Sequence, residues 1–397
     1  MTRVGRFYSG AVSLFVVIFA MLVIMVVTLG FLRLMAADQM QASDSDLSQS
    51  AYDSALAGVE DAKRALLSYQ RACANDSTSC APRKAQLSST QCNAALQNVV
   101  ATSIVNGRIG EVPVQRSGGS SADRQLNQAY TCVIISPNTS EYVGSASADE
   151  SKIIPLTGVS SFNTIRISWF SLEDMTGETG NVNRPSAVPA NLKLLRQARW
   201  PDNRPSVLRA QLMQFGSSFR LTDFDAETTS GQSNANTVFM YPTSLVDTSA
   251  TSLSDADGRR VGGAEFPTPA VAGGAPHAAS CRANVSDGGY ACTATFSLPN
   301  PVGGGSRTAY LRLVPFYTAT HFQVELLNGT TVVDFDGVQP KIDSTGRAND
   351  LYRRIEARVD LGSVDFPFPE AAVDVSGNFC KDFTVTPDAY IAGTCTP

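Results

Sequence analysis

The residue types and motifs that support histidine- or serine-based catalysis are scarce in this sequence. There are only two histidines, His277 and His321, which excludes a metal site built from several histidines and leaves few candidates for histidine acid–base catalysis. His321 falls on the polar side of an alternating segment, where we expect it to be solvated. The chain has no Gly-x-Ser-x-Gly motif, and its glycine clusters at 118–120 and 303–305 lack the lysine and helix of a phosphate-binding loop. The residues therefore predict neither an enzyme nor a cofactor.

Two acidic segments and two tryptophans are the remaining candidates for binding sites. SDADGRR (254–260) and DFDG (334–337) have neither the spacing nor the terminal glutamate of an EF-hand loop. We expect both to be exposed acidic turns, and we predict no metal site. Trp169 and Trp200 are expected to be core or edge aromatics rather than platforms for a ligand.

The cysteines predict disulfides. No C-x-x-C pair occurs, which argues against a zinc ribbon or a thioredoxin-like motif. An even number of cysteines favours disulfide pairing in an oxidising exterior, and short loops favour neighbours among the 105 connectivities that eight cysteines allow. The expected pairs, all beyond an N-terminal apolar run, are Cys281–Cys292 and Cys380–Cys395 first, then Cys73–Cys80 and Cys92–Cys132.

Charge and length limit the class of protein. The 397 residues carry a net charge of −5 and are 43% hydrophobic, which is ordinary globular composition for one large or two modest domains. The acidic balance argues against nucleic acid or anionic lipid headgroups as the main partner, since both need a basic face.

Residues 11–32 form an uncharged apolar run that predicts a transmembrane helix. Its 22 residues span about 33 Å as a helix, close to a hydrocarbon core of about 30 Å. Arginines precede the run and aspartates follow it, so the positive-inside rule predicts a cytoplasmic leader at 1–10, a membrane span at 11–33 and an extracellular remainder. A cleaved secretory signal is the alternative. The run is too long for one, and Arg33 stands where a cleavage site should be.

The segment 34–72 predicts a continuation of the same helix. It contains no proline from Met40 to Tyr69 and is rich in alanine. Apolar or small residues recur at spacings of three or four and form one stripe. Such a stripe must be buried against a folded head, which a simple membrane anchor does not require. The stripe residues that we expect to pack on the head are Leu47, Ala51, Ala55, Val59, Ala62 and Leu66.

This N-terminal region resembles the PilX-type minor pilins over about residues 3–70. The resemblance is carried by the short cationic leader, Gly10, the apolar helix and the run SAYDSALAGVEDAKRALL (50–67). It implies that prepilin peptidase cuts between Gly10 and Ala11, and that the helix then packs with other pilin-like subunits in the core of an extracellular filament. The glutamate that pilins usually carry five residues after the glycine is replaced by Phe15. That change suits a subunit at the filament tip, and equally a protein that is never cleaved.

The remaining residues, 73–397, predict a disulfide-bonded extracellular head rich in β-strands. Strand signals occur at 164–170, 206–215 and 237–242, although the second also fits a short helix. HFQVELLNGTTVVDFDG (321–337) predicts a hairpin with a type I′ turn at Asn-Gly. RRIEARVDL (353–361) predicts a strand with Ile355, Ala357, Val359 and Leu361 on its buried face.

The expected fold class is therefore α+β. A single N-terminal transmembrane helix continues into a long amphipathic helix that packs on an antiparallel β-sheet ectodomain. The Ser-, Gly-, Ala- and Pro-rich stretch at 246–280 could decorate one head or divide it into two modules. The loop closed by Cys380 and Cys395 is similar to the C-terminal loop of many pilins.

Two functions remain open at this point. The first is a non-enzymatic minor pilin-like subunit that acts in filament assembly or tip adhesion. Its partners would be other pilin-like subunits, membrane lipid and prepilin peptidase. The second is a receptor or adhesin that stays anchored in the cell membrane and never enters a filament. Both place a single-pass helix in the membrane and the head outside.

Overall fold

The computed structural model describes residues 10–75, 77–97, 99–100, 103–105, 108–114, 127–177, 179–186, 197–214, 237–245, 251–252, 261–265, 274–275, 277–306 and 308–361. The chain divides into two compact units, the first comprising residues 1–135 and 342–357 and the second 136–341 and 358–397. The segment 246–280 lies largely outside the described residues, and both of its ends belong to the second unit. Cys380 and Cys395 also lie outside the described residues.

The described elements are two α-helices, three 3₁₀ turns and eighteen strands. The helices are α1 (Gly10–Asn75) and α2 (Ser77–Leu87), and the 3₁₀ turns are Ala94–Leu96, Leu172–Asp174 and Gln197–Arg199. The strands are β1 (Ser103–Val105), β2 (Arg108–Pro113), β3 (Ala129–Thr139), β4 (Tyr142–Ala146), β5 (Lys152–Pro155), β6 (Phe162–Trp169), β7 (Val207–Gln214), β8 (Thr237–Thr243), β9 (Thr251–Ser252), β10 (Val261–Glu265), β11 (Gly274–Ala275), β12 (His277–Cys281), β13 (Cys292–Val302), β14 (Ala309–Phe316), β15 (Thr320–Asn328), β16 (Thr331–Val333), β17 (Phe335–Ala348) and β18 (Leu351–Arg358).

The α+β class is present: one long N-terminal helix accompanies an extensive set of strands. Among the described residues the strands form two large sheets instead of the one expected. A five-stranded sheet has the order β1-β2-β3-β17-β18. An eleven-stranded sheet has the order β16-β15-β6-β13-β12-β8-β7-β14-β5, with β4 beside β15 and β9 beside β13. A short pair, β10-β11, stands apart from both.

The larger sheet is mixed, whereas the sequence predicted an antiparallel one. Most of its pairs are antiparallel, but β12 runs parallel to β8, with His277 opposite Met240, and β9 runs parallel to β13. A parallel pair needs a crossover connection, and the chain between β8 and β12 is long enough to supply one. The segment 206–215, which also fitted a short helix, is strand β7 and pairs with β14 along its whole length.

The core of the second unit is made from the inward-facing residues of the larger sheet. Trp169, Phe296 and Phe322 are completely buried, and the indole N–H of Trp169 donates to the carbonyl of Ser206 at 3.1 Å. Trp169 is thus a core aromatic, as expected. Trp200 stacks on Tyr317 with ring centroids 4.0 Å apart, so its face is already occupied by a neighbouring ring.

The hairpin at 321–337 has a different turn from the one predicted. Asn328 pairs with Thr331, which leaves Gly329 and Thr330 as the two central residues. Gly329 has φ of +62°, and a positive φ at the first central position alone is the type II′ pattern. The predicted position of the turn was wrong by one residue. The sequence is compatible with a turn centred on Asn328 and Gly329 or on Gly329 and Thr330, and only the strand pairing decides between them.

Candidate functional site: the N-terminal helix and its sheet

The first half of α1 is an apolar surface that the described residues leave exposed. Every residue from Leu14 to Gln41 is exposed, and α1 is long and apolar enough to cross a membrane. Its one hydroxyl between Leu14 and Arg33, that of Thr28, donates back to the carbonyls of Ile24 (2.9 Å) and Met25 (3.0 Å). The polar side chain is thereby satisfied within the helix, as an apolar solvent requires. Phe15 is 74% exposed.

The second half of α1 carries the predicted stripe on one side. Leu47 is half-buried. The other stripe residues, Ala51, Ala55, Val59, Ala62 and Leu66, are at most 3% exposed. The opposite side is exposed and partly apolar, with Tyr52 at 44% and Leu56 at 39%.

The sheet of the first unit approaches α1 closely because small residues meet on both sides. The hydroxyl of Ser344 on β17 donates to the carbonyl of Ala55 at 2.7 Å. A Cβ built on Gly346 would overlap the backbone of Ala51 and Ala55. A Cβ on Gly58 would lie 2.8 Å from a methyl carbon of Val133, a tighter contact than packing tolerates. The contact between helix and strand is therefore almost backbone to backbone.

Polar contacts fix the rotation of α1 on this sheet. The hydroxyl of Tyr130 on β3 donates to Asp61 Oδ2 at 2.8 Å, and the other carboxylate oxygen of Asp61 accepts from Arg64 at 2.8 Å. Burial, followed by the hydrogen bond to Asp61 and its negative charge, raises the pKa of Tyr130 above its ordinary value. Nearer the apolar half of α1, Arg353 Nε on β18 donates to the hydroxyl of Ser48 at 2.8 Å.

Two disulfides lie in the first unit. Cys73 is joined to Cys80 and Cys92 to Cys132, and a third disulfide joins Cys281 to Cys292 in the second unit. These are three of the four expected pairs. The chain after α1 continues as helix α2, whose last turns contain the good helix formers Arg83, Lys84, Ala85, Gln86 and Leu87.

A buried asparagine and a buried ion pair support the same unit, and sequence reasoning missed both. Asn93 donates to the carbonyls of Gly110 (2.8 Å) and Thr131 (3.1 Å), and its amide oxygen accepts from the Val133 N–H (2.9 Å). Arg347 is completely buried and pairs with Glu111 at 2.5 Å and 3.2 Å. Neither residue carries a local sequence signal, because its partners lie in other strands.

The other candidate groups do not assemble a second site. The segment 254–260 lies outside the described residues, and among those described no three His, Cys, Asp or Glu side chains are grouped to hold a metal ion. His321 is not simply solvated: its ring nitrogens contact the carboxylates of Asp174 and Glu173. Gly10 is the first helical residue of α1 and Ala11 the second.

No protein-family model, curated protein or solved structure matches this chain.

Proposed function

We propose that this protein is a non-enzymatic, minor pilin-like subunit of a type IV pilus or a related secretion filament, acting in filament assembly or tip adhesion. One observation carries the proposal. α1 runs without interruption for 66 residues, its apolar half is exposed, and its second half is buried on one side by small residues. A membrane anchor alone needs only the first half. A rigid α1 that is fixed to its head sets the position of the head relative to the helices that α1 packs with.

The exposed apolar surface favours helix partners and lipid over soluble ligands. In the membrane, Leu14 to Leu32 would face hydrocarbon, with the N-terminus in the cytoplasm and the disulfide-bonded head outside. After removal of the leader by prepilin peptidase at Gly10, the same surface would pack against helices of other pilin-like subunits. Because α1 has no carboxylate between Gly10 and Leu32, the usual charge contact to an adjoining subunit is missing, which favours a terminal place in the filament.

The second candidate is a receptor or adhesin that remains a single-pass membrane protein. The absence of a carboxylate at Phe15 favours it equally, since a helix without charge resides in lipid at lower cost. The close packing of α1 on its sheet favours the first candidate.

The mature N-terminus decides between the two. Mass spectrometry of protein from the cell surface should find Ala11 as the first residue, and a Gly10→Val variant should retain the leader while still reaching the membrane. A wild-type chain that begins at Met1 or Thr2 would overturn processing and support the permanent anchor. A chain that begins near Ala36 would overturn both candidates, because the apolar helix would have been removed.

A further inference from the structure

The exposed side of the second half of α1, opposite its buried stripe, carries its charges in a definite order along the axis. Asp46 and Asp53 come first, and Arg64 and Arg71 follow nearer the end of the helix. All four residues are exposed, and the side chain of Arg64 is 71% exposed. From residue 38 to 53 the helix carries four aspartates and no lysine or arginine. The acidic and the cationic parts of this side are therefore separated along α1.

The spacing of the aspartates matches the spacing of the arginines. Arg64 follows Asp46 by 18 residues, and Arg71 follows Asp53 by the same 18 residues. That interval is about five turns of an α-helix and about 27 Å of rise, so the four side chains project from one side. Displacing a parallel copy of the helix by this distance brings both pairs of opposite charges side by side.

Hydrogen bonds within α1 leave these charged groups able to bind a partner. Gln49 donates to Asp53 Oδ1 at 3.0 Å, and Arg64 donates to Asp61 Oδ1 at 2.8 Å. Each bond uses one oxygen of the Asp53 carboxylate or one nitrogen of the Arg64 guanidinium, and both groups have several further acceptor or donor sites. Leu67, between the two arginines, is 37% exposed and offers apolar contact area.

We propose that this side of α1 binds a second copy of the same chain, parallel to the first and displaced by about 27 Å along the helix axis. Asp46 of one copy pairs with Arg64 of the other, and Asp53 pairs with Arg71. Leu67 of the second copy then lies beside Gln49 of the first. Exposed ion pairs are individually weak, so the two pairs act chiefly by selecting this displacement over others.

The same charges oppose two copies that are not displaced. Unshifted parallel helices would place Asp46 beside Asp46 and Asp53 beside Asp53, with repulsion at both positions. Copies anchored in one bilayer by the same apolar half would be held near that unshifted position. The charge order thus disfavours association of anchored copies through this side and favours it after the helices leave the bilayer. The contact therefore rests on the proposed filament function, and the outer copy of a pair can still be the terminal subunit.

Cysteine cross-linking of cell-surface material tests the displacement. Gln49→Cys and Leu67→Cys proteins are produced in the same cells and oxidised mildly. Positions 49 and 67 are about 27 Å apart within one helix, so a disulfide between them joins two copies. We expect 49–67 dimers. The control pair is Leu56→Cys with Leu67→Cys, whose native side chains are 39% and 37% exposed on the same side; it should give far fewer dimers, because it requires a different displacement.

An exchange of charges tests the pairing itself. Asp53→Arg, added to the Gln49→Cys protein, should lower the yield of the 49–67 dimer about fivefold, because an attraction between exposed charges becomes a repulsion. Arg71→Asp, added to the Leu67→Cys protein, should restore the yield, since opposite charges then face each other again. A general disturbance of α1 would not be reversed by a second substitution in the other copy.

Equal yields from the two cysteine pairs, or a loss that Arg71→Asp does not reverse, would overturn the proposed contact. Mass spectrometry of the same material reads the mature N-terminus and keeps the two proposals separate. Absence of the 49–67 dimer from chains that begin at Ala11 overturns the contact alone. Chains that begin at Met1 overturn the filament function. The substituted side chains are all exposed, so the variants are expected to fold.

Discussion

Gly346 is the residue on which the approach of α1 to its sheet depends most directly. A side chain at this position of β17 would meet the backbone nitrogen of Ala55 and the carbonyl carbon of Ser54, the latter at 2.8 Å. Backbone atoms inside a helix cannot rotate away as a flexible side chain would. Overpacking of this kind costs about 1–3 kcal/mol.

We therefore expect Gly346→Ala to lower the free energy of unfolding of the first unit by about 2 kcal/mol or more. Urea unfolding of the detergent-solubilised protein, followed by hydrogen exchange in α1, measures the change. Gly303→Ala is the control, because a Cβ at Gly303 has no atom within 4 Å. Equal stability of the two variants would show that α1 does not lie against β17.

Tyr130 gives the first unit a pH dependence of known sign. Its pKa is raised in the folded protein, whereas an unfolded tyrosine ionises near pH 10. The stabilisation from Tyr130 is therefore fully present below about pH 10 and is lost as the pH rises above it. In Tyr130→Phe the decline in unfolding free energy between pH 9 and 11 should be shallower than in wild type. Tyr52→Phe, at an exposed position of α1, is the control, and equal slopes in all three proteins would contradict the assignment.

At the scale of elements, α1 has an exposed apolar first half and a second half that packs on its sheet. The buried stripe identifies the second half. Val59 is 3% exposed and Leu56, three residues earlier, is 39% exposed. A charge at Val59 would be buried without a partner, which costs about 3 kcal/mol or more, while the same charge at Leu56 would reach water.

We expect Val59→Asp to unfold or strongly destabilise the first unit and Leu56→Asp to leave it nearly unchanged. The melting temperature of each variant in detergent provides the comparison. If the Val59→Asp protein melts like wild type, the stripe is not packed in solution. If both variants melt early, loss of helix propensity rather than burial would explain the result.

Periodicity predicted α1 and several strands of the larger sheet, among them β6, β8 and β15, because these segments show their burial pattern locally. β3 and β17 were missed although both belong to the sheet beside α1. Pro137 interrupts β3, and Pro340 and Gly346 interrupt β17, so each reads as a broken strand. Gly346, which weakens the strand signal of β17, is also the residue that lets α1 approach the sheet closely. Contacts such as Arg347 with Glu111 join residues 236 positions apart, and no local pattern encodes them.

At the scale of the whole molecule, each disulfide is expected to stabilise mainly the unit in which it lies. Cys92–Cys132 closes a loop of 40 residues in the first unit, and Cys281–Cys292 closes one of 11 in the second. By the chain-entropy model these loops contribute about 4 and about 3 kcal/mol, respectively. Two compact units with separate bridges are expected to respond separately, because each bridge restricts mainly the unfolded state of its own unit.

We expect the Cys92→Ser/Cys132→Ser protein to lose hydrogen-exchange protection in α1 and β3, and the Cys281→Ser/Cys292→Ser protein to lose it in β6 and β13. Exchange measured by mass spectrometry on full-length protein in detergent resolves these peptides, and each variant serves as the other's control. Serine at both positions avoids a free thiol, so mispairing does not complicate the comparison. Equal loss of protection across both units in either variant would show that the chain unfolds as one cooperative body. Removal of either bridge would then lower the free energy of unfolding of both units together.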